Sequence, residues 1–165
     1  MFYWYWRMRL ESALTEVWLA KVDLAQARPQ AEKFLKATLA TAEHAWQALA
    51  LEVNARIAMA ELDLTRAQDC IAKGLSAMEG FEVPLAAWRV HATAAELYQR
   101  MKSRELAKRH LALSRDTIMK LANSLPAEKP LRDIFLSAPR VRNAIRDPKI
   151  AVPQAKAKEM GRRGH

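Results

Sequence analysis

The chain has 165 residues, 51% of them hydrophobic and 27% charged, with a formal net charge of +9. That length buries a real core, and one continuous array of elements is the natural count. The single cysteine, Cys70, excludes an intrachain disulfide and a cysteine-based zinc site, and no run of about 18 apolar residues is present to span a membrane.

The chain opens on Phe2-Tyr3-Trp4-Tyr5-Trp6. A signal peptide needs a basic start and then an apolar stretch, whereas here aromatics precede Arg7 and Arg9, so a cytoplasmic, reducing setting is expected. Five adjacent aromatics surround a helix on every side, so they cannot all face one core. Three readings compete. An upstream repeat of a longer parent covers the first helix, since a terminal repeat normally carries a polar outer face and this one does not. Alternatively, Phe2, Tyr3, Trp4 and Tyr5 form a surface for a second copy or another protein, or they anchor the chain at a membrane interface.

The first helix is expected over residues 6–22, and its pattern returns. Ala20-x-x-Asp23-Leu24-x-x-Ala27 recurs forty positions later as Ala60-x-x-Asp63-Leu64-x-x-Ala67. Residues 1–40 and 41–80 share eight identities, Trp6/Trp46 and Leu35/Leu75 among them. A fainter third copy has Ser103 at the Asp place and Ala107 at the last Ala place. Self-similarity at this period marks an array of helical hairpins. In the second copy Trp46, Ala50, Val53, Ile57, Ala60 and Leu64 step by helical spacing. Trp6, Leu10, Ala13, Val17, Ala20 and Leu24 stand at the same places in the first copy, and both stripes are expected to face the core. The second helices answer with Ala27, Ala31, Leu35 and Thr38, and with Ala67, Ile71, Leu75 and Met78.

Pro29 is a difficulty for the second helix: it starts near Arg28, where an early proline is tolerated, or its first turn is distorted. The third and fourth helices, over 42–62 and 64–79, are the clearest, and Gly80-Phe81-Glu82-Val83-Pro84 then breaks the chain. The fifth helix is expected over 84–101 with Val90, Ala94, Leu97 and Tyr98 inward. The sixth, over 104–122, presents Ala107, Leu111, Ile118 and Leu121. Beyond Pro126, Leu131, Ile134 and Phe135 suit a short helix closing the last hairpin, with one more turn at Val141 and Ile145. Residues 147–165 read as a basic, disordered tail. The fold class is all-α: three antiparallel hairpins (1–40, 41–80, 81–122) stacked as a short right-handed α-solenoid, with short capping helices over 126–146.

The acids at the hairpin turns have a structural job. Asp23 and Asp63 follow a first helix and can cap the second by accepting bonds from its unpaired N–H groups, and Ser103 can do the same. That accounts for these carboxylates without catalysis or metal. His44, His91, His110 and His165 make no His-x-x-x-His pair; His91 and His110 can meet across the last hairpin, for packing or hydrogen bonding rather than for a metal. No Gly-rich phosphate loop and no nucleophile elbow occurs, so no enzyme activity, catalytic residue, cofactor or metal is expected. Charge is lopsided: residues 1–99 hold 10 Lys and Arg against 12 Asp and Glu, and residues 100–165 hold 17 against 6. Arg100, Lys102, Arg104, Lys108 and Arg109 cluster at the last hairpin turn as candidate partner-binding residues. This patch and the basic tail, residues 100–165 together, can neutralise phosphates, which makes nucleic-acid binding through the C-terminal third the alternative reading, although no aromatics interleave there for base stacking.

The hairpins resemble tetratricopeptide repeats. Ala55 and Ala95 fall at the small position of the first helix, Ala27, Ala67 and Ala107 at the small position opening the second, and Tyr98 at the first-helix aromatic place. Val22, Leu62 and Lys102 stand where that family usually has glycine, and the unit is forty residues rather than about thirty-four. Pro84-Leu-Ala-Ala-Trp88-Arg-Val-His91, with Leu131-Arg-x-x-Phe135-Leu, is similar to the C-terminal segments of large bacterial ATPase, kinase and cyclase signalling proteins. The resemblance implies a non-catalytic scaffold in signal transduction, binding another protein or the rest of its own parent through the concave surface lined by first helices.

Overall fold

The computed structural model describes residues 3–126 and 130–145. The described residues form helices and no strand: α1 (Tyr3–Ala20), α2 (Leu24–Leu39), α3 (His44–Ala60), α4 (Leu64–Ala77), α5 (Pro84–Arg100), α6 (Arg104–Ser124), α7 (Leu131–Ser137) and α8 (Pro139–Ile145). Phe2, the Tyr3 side chain and the tail from residue 147 lie outside the described residues. Successive helices pair as the hairpins α1–α2, α3–α4 and α5–α6, and each hairpin packs on the next. The chain is thus a helical-repeat solenoid. The first helices α1, α3 and α5 pack directly on one another, so they form its tighter, inner row.

The turn inside each hairpin is the same structure built three times. Val22, Leu62 and Lys102 adopt left-handed φ values of 58°, 64° and 60°. Asp23 N–H donates to Trp18 C=O at 3.1 Å and Val22 N–H to Leu19 C=O at 3.1 Å. The same pair of bonds recurs at Asp63 and Leu62, and at Ser103 and Lys102. This is the six-to-one and five-to-two pattern of a Schellman motif, which satisfies the last carbonyls of the first helix. The next residue then caps the second helix. Asp23 accepts from Gln26 N–H at 3.2 Å and Asp63 from Arg66 N–H at 2.9 Å. Ser103 sits at the same place but makes no side-chain cap bond.

Helix α2 runs through Pro29 without restarting, so its start is at Leu24 and not near Arg28. The hairpin contacts of Ala27 and Ala31, both fully buried, hold the turn before and after the proline in register.

The core is divided among the hairpins. Met8, Ala27, Ala31, Phe34, Ala50, Val53 and Ile57 form the first cluster, between α1, α2 and α3. Ala55, Ala58, Met59, Ala67, Ile71, Val90, Ala94 and Leu97 lie in the second, between α3, α4 and α5. Trp88, Ile118, Val141 and Ala144 close the far end, where α8 folds against α5 and α6. Burial of a side chain as large as Ile or Leu contributes about 1.5–3 kcal/mol. Of the residues expected to close the last hairpin, Phe135 and Ile145 pack, partly buried, against this last cluster, whereas Leu131 and Ile134 are 43% and 59% exposed.

The expected stripes hold only in part: Ala60, near the end of the second-copy stripe, is exposed. The first-copy stripe does not face the core: Trp6 is 65% exposed, Leu10 59% and Val17 47%, and Ala13 and Ala20 are exposed as well. Met8, Glu11 and Thr15 turn inward in their place. The stripe has helical spacing, as expected, but this face of a first helix is the one that meets the preceding hairpin. For α3 that hairpin is α1–α2; for α1 the described residues supply none.

Candidate interaction site on the inner face

Glu16 of α1, Glu52 and Arg56 of α3, and Arg89 and Thr93 of α5 lie on consecutive first helices, and the stacking brings them together on the inner row. Arg56 holds Glu16 with a two-pronged contact, Nη1 to Oε1 at 2.8 Å and to Oε2 at 2.9 Å. Arg89 Nη2 also donates to Glu16 Oε1 and lies 3.6 Å from Glu52 Oε2. Thr93 Oγ1 donates to Glu52 Oε1 at 2.6 Å. Glu52 is fully buried, and its Oε2 makes no hydrogen bond. A buried carboxylate is tolerated only with such partners, because an isolated one costs several kcal/mol.

A sixth group arrives from far along the chain. Arg140, on α8, donates from Nη1 to Glu16 at 2.9 Å and from Nη2 to Glu52 at 2.8 Å. One guanidinium fork therefore ties α1 to α3, and its parent helix is anchored by Val141 and Ala144 against Trp88 and Ile118. Burial works to raise the Glu16 pKa, but the neighbouring Arg140, Arg56 and Arg89 outweigh it and hold the carboxyl below its usual range. Burial works to lower the Arg140 pKa, and Glu52 and Glu16 outweigh that too, raising it. Arg89 is lowered, chiefly by burial. Two carboxylates face three guanidiniums, so Arg140 is not needed for charge balance: Arg56 and Arg89 already match Glu16 and Glu52. The sequence reading missed this cluster, since 88 residues separate Arg140 from Glu52. The one visible hint was a glutamate, Glu52, amid the apolar positions of α3.

The five cations expected to bind a partner gather at the α5–α6 turn. Arg100 is committed internally, donating to Met59 C=O at 3.0 Å and to Glu96 at 2.6 Å. Lys108 pairs with Glu105 at 3.2 Å. Lys102, Arg104 and Arg109 are exposed. Next to them, His91 and His110 do meet, Nδ1 to Nδ1 at 3.0 Å, with Tyr98 stacked on His110. Such a contact needs one ring as donor and the other as acceptor, so the two rings are not both protonated. Burial, then His110 and Arg109, pushes His91 down to about 4. No group of three or more potential metal ligands occurs among the described residues. At the opposite end, Trp4 and Tyr5 are partly exposed, and Tyr5 meets Trp46 edge-on at 6.3 Å.

No helix among the described residues is long and apolar enough to cross a membrane. No protein-family model, curated protein or solved structure matches this chain.

Proposed function

We propose that the chain is a non-catalytic helical-repeat module that binds another polypeptide through its inner face, the partner being another protein or the rest of a larger parent. The observation that carries this reading is the seat of Arg140. The inner row already holds a short helix of this chain, gripped by a guanidinium fork between Glu16 and Glu52. A partner helix with an arginine at the matching place uses the same two carboxylates and displaces α8. Because Arg56 and Arg89 balance the carboxylates, the seat stays electrostatically satisfied while empty, which suits exchange of one occupant for another.

The test uses the whole chain carrying Arg140→Ala and a labelled peptide of residues 138–145. Saturable binding is expected, weaker to the native chain and lost when Glu16→Gln is added. No binding to the Arg140→Ala chain at peptide concentrations up to about 1 mM, the weak end of specific affinity, would sink the reading. The rival reading is nucleic-acid binding through residues 100–165; at the α5–α6 turn Lys102, Arg104 and Arg109 are exposed for it, while Arg100 is held by Glu96 and Met59 C=O.

A further inference from the structure

The open stripe of α1 has counterparts whose surroundings are visible. Trp6, Leu10, Ala13 and Val17 of α1 stand forty residues before Trp46, Ala50, Val53 and Ile57 of α3, and these stand forty before Ala86, Val90, Thr93 and Leu97 of α5. In α3 the last three are 0%, 3% and 1% exposed, covered by α1–α2. In α5 Ala86, Val90 and Leu97 are 0% exposed, in the cluster shared with α3–α4, and Thr93, 4% exposed, donates to Glu52 of α3. The same face is therefore buried by the preceding hairpin wherever that hairpin is present. On α1 it is open, and it is apolar rather than polar: Leu14, 37% exposed, extends it where α3 has Asn54. Leu10, Ala13 and Val17 together carry as many side-chain carbons as Ala50, Val53 and Ile57. The face conserves the volume that packs against a hairpin while changing its distribution.

We infer that the Trp6–Leu10–Ala13–Val17 face of α1 docks a further helical hairpin of the same repeat, one outside these 165 residues, through the second helix of that hairpin. A second copy of this chain is a poor occupant. The α2 surface that covers α3 is itself buried in every copy, with Ala27, Ala31 and Phe34 at 0% exposure. The structure also gives the chemistry of the occupant. Size is traded across the junction between units: Phe34 shares a cluster with the small Ala50, whereas at the matching place of α4 Gly74 takes the larger Val90, 3.7 Å from where a glycine Cβ would stand. Leu10 occupies that place on α1, so the occupant presents a small residue there, as α4 does with Gly74, after a small residue at the place of Ala67. This inference stands apart from the inner-face proposal and survives its failure, since it involves the opposite requirement: an apolar surface with no occupant among the described residues.

The test extends the full chain at its N-terminus by a copy of residues 41–80, which preserves the forty-residue spacing; a second version adds a copy of residues 1–40. Docking predicts that amide exchange across residues 6–17 slows at least tenfold in one or both extended chains. The helical circular dichroism should grow by a hairpin's share, and Leu10→Glu should abolish the gain while leaving the unextended chain folded. Two results would overturn the inference. One is that neither extension protects residues 6–17. The other is that the unextended chain already protects them by self-association that the extensions do not abolish, which would assign the face to a second copy.

Discussion

Val22 carries a β-branched side chain at φ 58° on an exposed turn, and Leu62 and Lys102 share that left-handed geometry. A non-glycine residue there costs roughly 1–2 kcal/mol, and glycine recovers it at an entropic cost of about 0.5–1 kcal/mol. Val22→Gly should therefore stabilise the chain by about 0.5–1 kcal/mol in urea melts; loss of stability would mean that the turn is held by the Val22 side chain, which is 75% exposed. The His91–His110 contact makes a second prediction at this scale. His91 is held at about 4 by burial, then His110 and Arg109, and His110 is lowered by burial and Arg109. In the unfolded chain both titrate near their ordinary 6.5. Between those values the unfolded state binds more protons, so stability rises with pH across the window and is lost on acidification through it. At pH 5 the loss from His91 is about 1 kcal/mol, reduced for screening because the ring is partly exposed. His91→Gln should flatten the melting temperature between pH 7 and pH 5. The carboxylates Glu11 and Glu16, both lowered, add their own loss only below about 4.5.

Among the elements, α2 is the one whose sequence argues against its structure. Pro29 lies inside the helix and removes the bond that Ala25 C=O would accept. Pro29→Ala should stabilise by about 2 kcal/mol, the interior penalty less the stiffening that proline gives the unfolded chain. A destabilised variant would show that the proline shapes the helix for its neighbours. The same helix shows what a sequence can and cannot reveal. The caps at Asp23 and Asp63 and the buried stripes of α3 and α5 were legible because spacing and capping chemistry are local. The stripe on α1 was misread because its pattern equals that of α3; periodicity shows that a face wants cover, not whether cover exists. Phe34, fully buried, lay off the echo, since the matching place is Gly74. The Glu16–Glu52–Arg140 seat depends on contacts across more than half the chain, where no spacing rule reaches.

For the whole molecule, three hairpins in one register pack each on the next, and two surfaces break the pattern: an inner face that α8 already fills and an outer end that none of the described residues covers. Both follow from one premise, that residues forty apart occupy equivalent sites and differ only in which neighbours they meet. Equivalent substitutions at Val17 and Ile57 test it most directly, because these positions are 47% and 1% exposed. Equilibrium unfolding of Ile57→Asp and Val17→Asp should separate them. Ile57→Asp buries an unpaired carboxylate and should lose at least about 3 kcal/mol, while Val17→Asp should stay within about 0.5 kcal/mol of the native chain, as exposed substitutions do. Equal losses at the two sites, or a native melting curve for Ile57→Asp, would contradict the account.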